Sequence, residues 1–355
     1  MKKIYSLLFL LSFTIGIGQI PSGYYNSATS SGYTLKTQLY NIIKGHTDNG
    51  YAGLYTTYQT SDIDNFYEND GTILDMYSEK PSGTDPYNYT SGSTQRCGSY
   101  SSEGNCYNRE HIIPQSVFNS ATPMVSDAHF ITPTDGKVNG QRSNYPHGTV
   151  SSATWTSLNG GKLGSSSVSG YSGTVFEPIN EFKGDIARML LYFATRYEDQ
   201  VAGWSFAMFN NTSNQVFTSN AINILLTWSN NDPVSVREIA RNNAIYARQN
   251  NRNPYIDHPE YAMNIWGSLL NNSNFEVLNL VSVFPNPSSD SKINIQTELS
   301  IDSIQLININ GQLIIQVINP VFDNATYTLE NLPRGFYFLK LTSQNQSITK
   351  KIIIN

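Results

Sequence analysis

The residues of this chain best suited to chemistry lie in the segment NREHIIPQ, residues 108–115. Arg109, Glu110 and His111 place a guanidinium, a carboxylate and an imidazole at three successive positions. An imidazole has an unperturbed pKa of ~6.5, so His111 could take a proton from water near neutral pH. The two isoleucines and the proline that follow would hold the imidazole still. The segment therefore indicates acid–base chemistry.

A glutamate at this position could also bind a metal ion. The segment SDAHFITPTDGKVNGQRSNYPHG reads as a short strand that Pro133 ends, followed by a helix that Thr134 or Asp135 caps. With REHII as an earlier strand, the order is strand, loop, strand, helix. A glutamate on the first strand and an amide oxygen on the helix could bind one face of a hard cation. Such ligands suit Mg²⁺, or less strictly Ca²⁺, better than Zn²⁺.

The N-terminus reads as an export signal. MKK supplies a positive start, IYSLLFLLSFTIGI a short apolar run, and GIGQ small residues that allow cleavage after Gly18. The run is shorter than the ~20 residues that span a bilayer, and no later stretch is long and apolar enough. We therefore expect a signal peptide at residues 1–18, an exported protein and no stable membrane span.

The two cysteines agree with export. Cys97 and Cys106 bracket a polar loop, and an oxidising compartment would allow them to form a disulfide. Two unpaired thiols are the alternative. The spacing is not CxxC and the sequence has only two cysteines, which disfavours a thiolate metal site.

Charge and composition limit the class of protein. Hydrophobic residues make up 39% and aromatic residues 12% of the chain, which indicates a globular protein. The formal net charge is −5, whereas strong non-specific nucleic-acid binders usually have a basic surface. Any role on nucleic acid must therefore depend on a local site or on bound cations.

Composition changes near residue 276. Before it, NEFKGDIARMLLYFATRYED predicts a helix with one apolar face, formed by Ile186, Met189, Leu190, Phe193, Ala194 and Tyr197. After it, alternating segments such as IDSIQLINI and GFYFLKLTS are separated by the turn signals NING and LPRG. These segments predict an all-β sandwich over residues 277–355, joined through the proline-containing linker FPNPSSD.

The tail is similar to the C-terminal sorting domain of the type IX secretion system. VFPNPSSD, IQLININGQLI, LENLPRGFYFLKL and the lysines before IIIN carry the likeness. The resemblance implies recognition by the type IX secretion machinery, export across the outer membrane, and then release or surface attachment. An ordinary β-sandwich accessory domain is the alternative.

The preceding region resembles the endonuclease I family, exported non-specific nucleases of the ββα-metal (His-Me finger) class. The likeness covers residues 24–270 and is carried, in order, by YNREHIIPQSVF, DAHFITPTDGKVNGQRSNYPHG, VFEPINEFKGDIARMLLYFATRY and NRNPYIDHPEYAMNIW. It implies an α+β catalytic domain over residues 20–276, largely helical around a ββα finger. The implied substrate is DNA, with RNA as a further substrate.

The resemblance also implies roles for individual residues. Glu110 and Asn139 match the metal-binding glutamate and asparagine, and His111 matches the general base. The implied cofactor is Mg²⁺, with Ca²⁺ or Mn²⁺ as alternatives, and the implied products carry a 5′ phosphate. Because neighbouring strand positions point to opposite faces, Glu110 and His111 would be separated unless the backbone kinks, for which the strand end near Pro114 is a suitable place.

The family's phosphate-binding arginine has no match in PQSVFNSATPMVSD, the segment between the two strands. Arg109, Arg142 and Arg188 are therefore the candidates for contact with the scissile phosphate. His129 could orient the site or simply bond a backbone carbonyl in the core. Asp127 could orient His129 or merely begin the strand.

Two other functions compete with the nuclease. A zinc hydrolase could use His111, His129 and His147 as ligands, although no HExxH pair is present. A non-enzymatic glycan-binding surface protein would suit the 23 tyrosines and the sorting tail. Motif order favours the nuclease over both.

Overall fold

The computed structural model describes residues 20–97, 100–168, 170–278, 281–343 and 346–355. The predicted signal peptide, residues 1–18, lies outside the described residues. The chain divides into two compact units, the first ending at Ser268 and the second beginning at Leu269. The domain ranges 20–276 and 277–355 stay a prediction. In the described part of the chain, no helix has the length and apolar character needed to cross a membrane.

The α-helices of the described residues all begin in the first unit. They are α1 (Gly32–Ile43), α2 (Leu54–Ser61), α3 (Gly136–Arg142), α4 (Lys183–Arg196), α5 (Ser219–Asn231), α6 (Val236–Gln249), α7 (Pro254–Asp257) and α8 (Glu260–Leu278). The predicted apolar face of α4 is buried, but so is every residue from Gly184 to Arg196. A helix can be buried all round only if its polar side chains find partners. Arg188 and Asp185 of α4 do so by pairing with Glu238 and Arg237 of α6.

The strands of the first unit form three small antiparallel sheets. They are β1 (Thr72–Ile73), β2 (Tyr89–Thr90), β3 (Tyr107–His111), β4 (Ile131–Asp135), β5 (Val150–Thr156), β6 (Lys162–Ser166) and β7 (Thr174–Glu177). β1 pairs with β2, β3 with β4, and β6 lies between β5 and β7. The predicted mixture of helices with a few short strands is confirmed.

The β3–β4 pair and α3 form a strand–loop–strand–helix unit, as the sequence predicts. The register of the antiparallel pair sets Glu110 opposite Thr132, and α3 follows β4 directly. Asp135 caps α3, because its carboxylate accepts a 2.8 Å hydrogen bond from the amide of Val138. The predicted cap at Asp135 is therefore confirmed.

The prediction that Pro133 ends its strand is wrong. Pro133 lies in the middle of β4, opposite Arg109. β3 and β4 form a two-stranded sheet, so each of them is an edge strand. An edge strand accepts proline wherever the missing amide would point away from the partner strand.

The second unit is a β domain with two antiparallel sheets. Its strands are β8 (Ser282–Phe284), β9 (Ile293–Gln296), β10 (Ser303–Asn308), β11 (Leu313–Ile318), β12 (Thr326–Leu329), β13 (Gly335–Ser343) and β14 (Gln346–Ile354). The sheet orders are β11-β10-β13-β14 and β12-β9-β8. Alternate residues of both sheets, such as Ile304 and Leu306 in one and Ile293 and Ile295 in the other, share one core. The predicted C-terminal β domain is confirmed.

Candidate active site

Glu110 is a buried carboxylate with partners from two distant parts of the chain. It lies near the end of β3, and only 1% of it is exposed. Its Oε1 accepts a 3.1 Å hydrogen bond from the hydroxyl of Tyr77 and lies 3.0 Å from Nη1 of Arg142. Burial raises the pKa of Glu110 to about 7, although Arg142 and Tyr77 both oppose the rise. Both contacts use Oε1, which leaves Oε2 available.

His111 is a neutral imidazole with a fixed orientation. Its Nε2 lies 3.1 Å from the carbonyl oxygen of Val125, and Nδ1 is buried without a hydrogen-bond partner among the described residues. A carbonyl can only accept, so Nε2 carries the proton and Nδ1 keeps its lone pair. Burial lowers the pKa of His111 to about 4, against the opposing effects of the backbone of Val125 and of Arg109. The rings of Tyr51, Phe118 and Phe130 surround the imidazole.

Glu110 and His111 leave opposite faces of β3. The strand continues through both residues, so the alternation expected of a strand is kept. Glu110 faces α3 through Arg142, whereas His111 faces the loop before β4 through Val125.

Asn139 lies on the surface of α3 that faces β3. Its Nδ2 donates a 2.6 Å hydrogen bond to Oδ1 of Asn108, which lies two residues before Glu110 and therefore on the same face of the strand. One helical turn after Asn139, Arg142 pairs with Glu110. Two successive contacts thus join α3 to β3 and bring Asn139 and Glu110 to one surface.

This surface fits a hard divalent cation. Among the described residues, the hydrogen bond of Asn139 uses Nδ2 and the contacts of Glu110 use Oε1, so Oδ1 of Asn139 and Oε2 of Glu110 are not engaged by them. A carboxylate and an amide oxygen are ligands that Mg²⁺ and Ca²⁺ prefer, whereas Zn²⁺ sites usually contain nitrogen or sulfur. Glu110 and Asn139 would hold such an ion when it is bound.

The three candidate arginines have different surroundings. Arg142 is buried and donates to the carbonyl oxygens of His111 (2.8 Å) and Ile112 (2.5 Å), besides its pair with Glu110. It therefore fixes the end of β3 to α3. Arg109 is half-buried, with its guanidinium 3.5 Å above the ring of Tyr51 and Nη1 bonded to the Tyr51 carbonyl at 3.0 Å.

Arg188 has a structural partner elsewhere. It is fully buried on α4, and its Nε lies 2.6 Å from Oε1 of Glu238 on α6. Its Nη1 also donates to the carbonyl oxygen of Asp232 at 2.8 Å. Among the described residues, none of its hydrogen bonds or ion pairs reaches Glu110 or His111.

Asp127 and His129 belong to a buried polar network. Asp127 accepts hydrogen bonds from Tyr192, Tyr197 and Gln249. Burial opposes its ionisation, but His46, His129 and Gln249 outweigh burial and lower the pKa of Asp127 to about 2. His129 bonds a backbone carbonyl through Nε2 at 3.0 Å. In the described part of the chain, the hydrogen bonds of both residues stay within this network.

The predicted disulfide between Cys97 and Cys106 is confirmed, with the two Cα atoms 5.1 Å apart. The bridge ends one residue before β3 begins at Tyr107. Backbone hydrogen bonds of 2.8 Å link Cys97 to Tyr107 and Tyr107 to Gln95. The disulfide therefore holds the segment that leads into the candidate site.

Two residues of the site could not be found from the sequence. Tyr77 gives no signal among the many tyrosines, and His147 in YPHG reads as a loop residue. In the structure, the Tyr77 hydroxyl lies 3.0 Å from Nε2 of His147 while it donates to Glu110. A hydroxyl has one proton, so His147 must donate to Tyr77, and the order of donation is His147, Tyr77, Glu110.

The comparisons with known proteins cover both units. Residues 31–260 match the family described as Endonuclease I, and residues 282–355 match the Secretion system C-terminal sorting domain. An extracellular ribonuclease from Bacillus amyloliquefaciens is 33% identical over 248 residues, which cover 68% of this chain and 78% of that protein. An extracellular ribonuclease from Bacillus subtilis (strain 168) is 32% identical over 249 residues, with the same two coverages.

One solved structure comes from a study of PorZ, a surface component of the type IX secretion system of Porphyromonas gingivalis. The alignment with it covers 22% of this chain and 12% of that chain. Its TM-score of 0.19 and identity of 16% are too low to support a conclusion. The two family matches, in contrast, do support conclusions. The C-terminal sorting domain makes this a secreted or cell-surface protein, and the match over residues 31–260, with a relative that is one-third identical, shows that the chain belongs to the endonuclease I family.

Proposed function

We propose that this protein is an exported, non-specific endonuclease that hydrolyses the phosphodiester bonds of DNA and RNA with a bound divalent cation. Membership of the endonuclease I family supports the reaction, and the ribonuclease names of the two Bacillus relatives support RNA as a substrate. The single observation that carries the proposal is the match of residues 31–260 to the endonuclease I family, a range that contains Glu110, His111 and Asn139. At His111, Nε2 is bonded to a carbonyl and Nδ1 is buried without a hydrogen-bond partner among the described residues, a state that His129 shares.

His111 is the general base of the proposed reaction. A buried polar atom without a hydrogen bond requires an explanation, and a catalytic role is one explanation. With the proton on Nε2 fixed by Val125, Nδ1 can take a proton only from a molecule that reaches it, which we propose is the attacking water. The hydroxide then attacks phosphorus in line with the 3′ oxygen, so the products carry a 5′ phosphate.

Glu110 and Asn139 hold the cation in this scheme, and because Glu110 and His111 leave opposite faces of β3, the scheme requires a phosphate that reaches both groups at the end of the strand. When bound, a divalent cation stabilises the negative charge that develops on the phosphate and on the leaving oxygen. Tyr77 and Arg142 keep the Glu110 carboxylate in place through Oε1. Mg²⁺ is the cation that we expect, because a site with two protein oxygens leaves room for the waters that Mg²⁺ retains.

Of the three candidate arginines, Arg109 suits contact with the scissile phosphate best. It leaves the same face of β3 as His111 and is half-buried, whereas Arg142 and Arg188 are fully buried. Arg142 already uses both terminal nitrogens in bonds to β3, and Arg188 is committed to Glu238. An Arg109→Ala variant should therefore lose activity without losing the capacity to bind Mg²⁺.

The test uses the chain from residue 20, incubated with supercoiled plasmid or with single-stranded RNA. We expect nicking and degradation in Mg²⁺, no cleavage in EDTA, and a loss of about 10²–10⁴-fold in rate for His111→Ala. His258→Ala, a partly exposed histidine of the same unit, is the matched control and should keep the rate of the unchanged protein.

Two outcomes would overturn the proposal. Cleavage that Zn²⁺ alone restores would favour a zinc hydrolase that uses His111, His129 and His147. Intact DNA and RNA with every divalent cation would favour a non-enzymatic protein, and binding to glycans would then be measured.

A further inference from the structure

A second group of acidic residues lies apart from Glu110 and Asn139. One carboxylate oxygen from each of Asp64, Glu68 and Glu79 lies within 4.8 Å of the other two. Asp64 begins the loop that leads to β1, and Glu79 ends a turn that begins at Asp75. The cluster therefore joins two segments of the first unit.

Glu79 is the unusual member of this cluster. Only 1% of it is exposed, yet its Oε1 is buried without a hydrogen-bond partner among the described residues. Leaving a buried carboxylate oxygen unpaired is costly, so such an atom requires an explanation. The backbone fixes its position, because its amide donates to the Asp75 carbonyl at 2.9 Å and its carbonyl accepts from Asn159 at 3.3 Å. One oxygen of the Glu79 carboxylate lies within 4.8 Å of an oxygen of Asp64 and of an oxygen of Glu68.

The charges around Glu79 are negative. Besides burial, which acts most strongly, the charges of Asp85, Glu68 and Asp64 and a hydrogen bond with Glu68 raise the pKa of Glu79 to about 9. In the described part of the chain, no basic side chain forms an ion pair with any of these four carboxylates. A bound cation would supply the missing positive charge.

The Asp64 carboxylate has one acceptor position left with which to bind a cation. Its carboxylate accepts hydrogen bonds from the amides of Phe66 and Tyr67, both 3.0 Å, and of Asn69, 2.9 Å. A carboxylate has about four positions for acceptance. Three are used to shape the loop, so one remains for a ligand.

We propose that Asp64, Glu68 and Glu79 form a second cation site, which binds Ca²⁺ and stabilises the fold. The ligands are all oxygens, as Ca²⁺ prefers. Two oxygens on opposite sides of a Ca²⁺ ion are about 4.6–5.2 Å apart, because each bond is about 2.3–2.6 Å long. The observed limit of 4.8 Å therefore allows the three carboxylates to bind one ion with little movement. Extracellular Ca²⁺ sites have Kd values of about 10⁻⁴–10⁻³ M, which suits an exported protein.

The proposed Ca²⁺ site is linked to Glu110 through one turn of the chain. The turn from Asp75 to Glu79 carries Tyr77, whose hydroxyl donates to Glu110. A cation that holds Glu79 would fix this turn. The Ca²⁺ site is thus a support for the candidate active site and is chemically distinct from it.

The experiment uses the chain from residue 20 with Glu110→Gln, which removes the carboxylate of the proposed catalytic cation. Isothermal titration calorimetry with CaCl₂ should show one bound Ca²⁺. The Tm should rise by about 5 °C when Ca²⁺ is a hundredfold above its Kd. Neither readout depends on nuclease activity, so failure here leaves the proposed function untouched.

Two further substitutions in the Glu110→Gln protein locate the ion. Glu79→Gln should abolish Ca²⁺ binding, and Glu68→Gln should weaken it at least tenfold. Glu68 is exposed, so its variant should fold whatever happens to Glu79. Glu181→Gln, an exposed glutamate outside the cluster, is the matched control and should bind Ca²⁺ unchanged. Absence of Ca²⁺ binding by the Glu110→Gln protein, or equal binding by the Glu68 and Glu181 variants, would overturn the proposal.

Discussion

At the scale of single residues, the buried ion pair between Glu110 and Arg142 matters more for the position of the site than for net stability. Both side chains are almost fully buried, with Arg142 Nη1 3.0 Å from Glu110 Oε1. Burying two charges costs about as much as their attraction returns, so such a pair gives little net stability. Its value lies in position, since Arg142 also bonds the carbonyls of His111 and Ile112.

Removal of Arg142 should therefore be costly for stability. We expect Arg142→Met to lower the free energy of unfolding by about 3–5 kcal/mol, because the Glu110 carboxylate would stay buried without a positive charge beside it. Urea denaturation measures this change. The double variant Arg142→Met with Glu110→Gln, which removes the buried charge, should recover part of the loss. A loss below about 1 kcal/mol in the single variant would show that water reaches Glu110.

His129 should make the protein less stable in acid. Burial lowers its pKa from 6.5 to about 4. Between these values the unfolded chain binds a proton at this site and the folded protein does not, so the free energy of unfolding falls as the pH falls. In this pH range, His129 changes the free energy of unfolding by at most about 1.4 kcal/mol per pH unit. Urea denaturation between pH 6.5 and 4.5 should show a flatter dependence for His129→Gln than for His258→Gln, the partly exposed control; equal slopes would contradict this account.

At the scale of elements, the candidate site depends on how α3 is attached to the β3–β4 pair. Asp135 ends β4 and caps α3, and its other carboxylate oxygen accepts from the Tyr89 hydroxyl (2.5 Å) and the Gly104 amide (2.9 Å). The same residue therefore sets the start of the helix and anchors it to the neighbouring segments. Asn139 and Arg142 reach β3 only if α3 begins at this point.

Two helix caps allow this dependence to be tested. Asp135→Ala should lower the free energy of unfolding by about 2–4 kcal/mol, because it removes a cap and two further hydrogen bonds. Ser235→Ala, which removes the capping box of α6, should cost about 1 kcal/mol. Of the two variants, we expect only Asp135→Ala to weaken Mg²⁺ binding in calorimetry. Equal Mg²⁺ affinities would show that the cap does not position Asn139.

At the scale of the whole molecule, the two units have separate cores and separate tasks. The first carries the match to endonuclease I, and the second carries the match to the sorting domain. Among the described residues, the buried apolar side chains of the second core run from Val281 to Ile354. A domain with its own core can fold independently of its neighbour in the chain.

Removal of the second unit should therefore leave the first intact. We expect the fragment of residues 20–278 to have a Tm within about 2 °C of the Tm of the first unit in the full chain. The truncation removes no residue from the core of the first unit. Calorimetric melting of both proteins, together with plasmid cleavage in Mg²⁺, measures the outcome. A large fall in Tm would show that the first unit needs its tail for stability.

The local features of the site could be predicted from the sequence because local physical rules produce them. The segment REHII and the segment before Pro133 read as short strands, and a carboxylate before a helix indicates the cap at Asp135. Two cysteines in an exported chain indicate the disulfide. The place of Pro133 inside β4 could not be predicted, because the sequence does not tell which strands lie at a sheet edge.

Local sequence patterns are enough to predict two units, the strand–loop–strand–helix unit and the residues able to do chemistry. The groups that hold these residues follow from tertiary contacts: Tyr77 and Arg142 bind Glu110, Val125 binds His111, and Glu238 binds Arg188. These contacts join positions far apart in the chain. Their partners are ordinary tyrosine, arginine and backbone groups, whose roles arise from burial and from the distances that folding imposes.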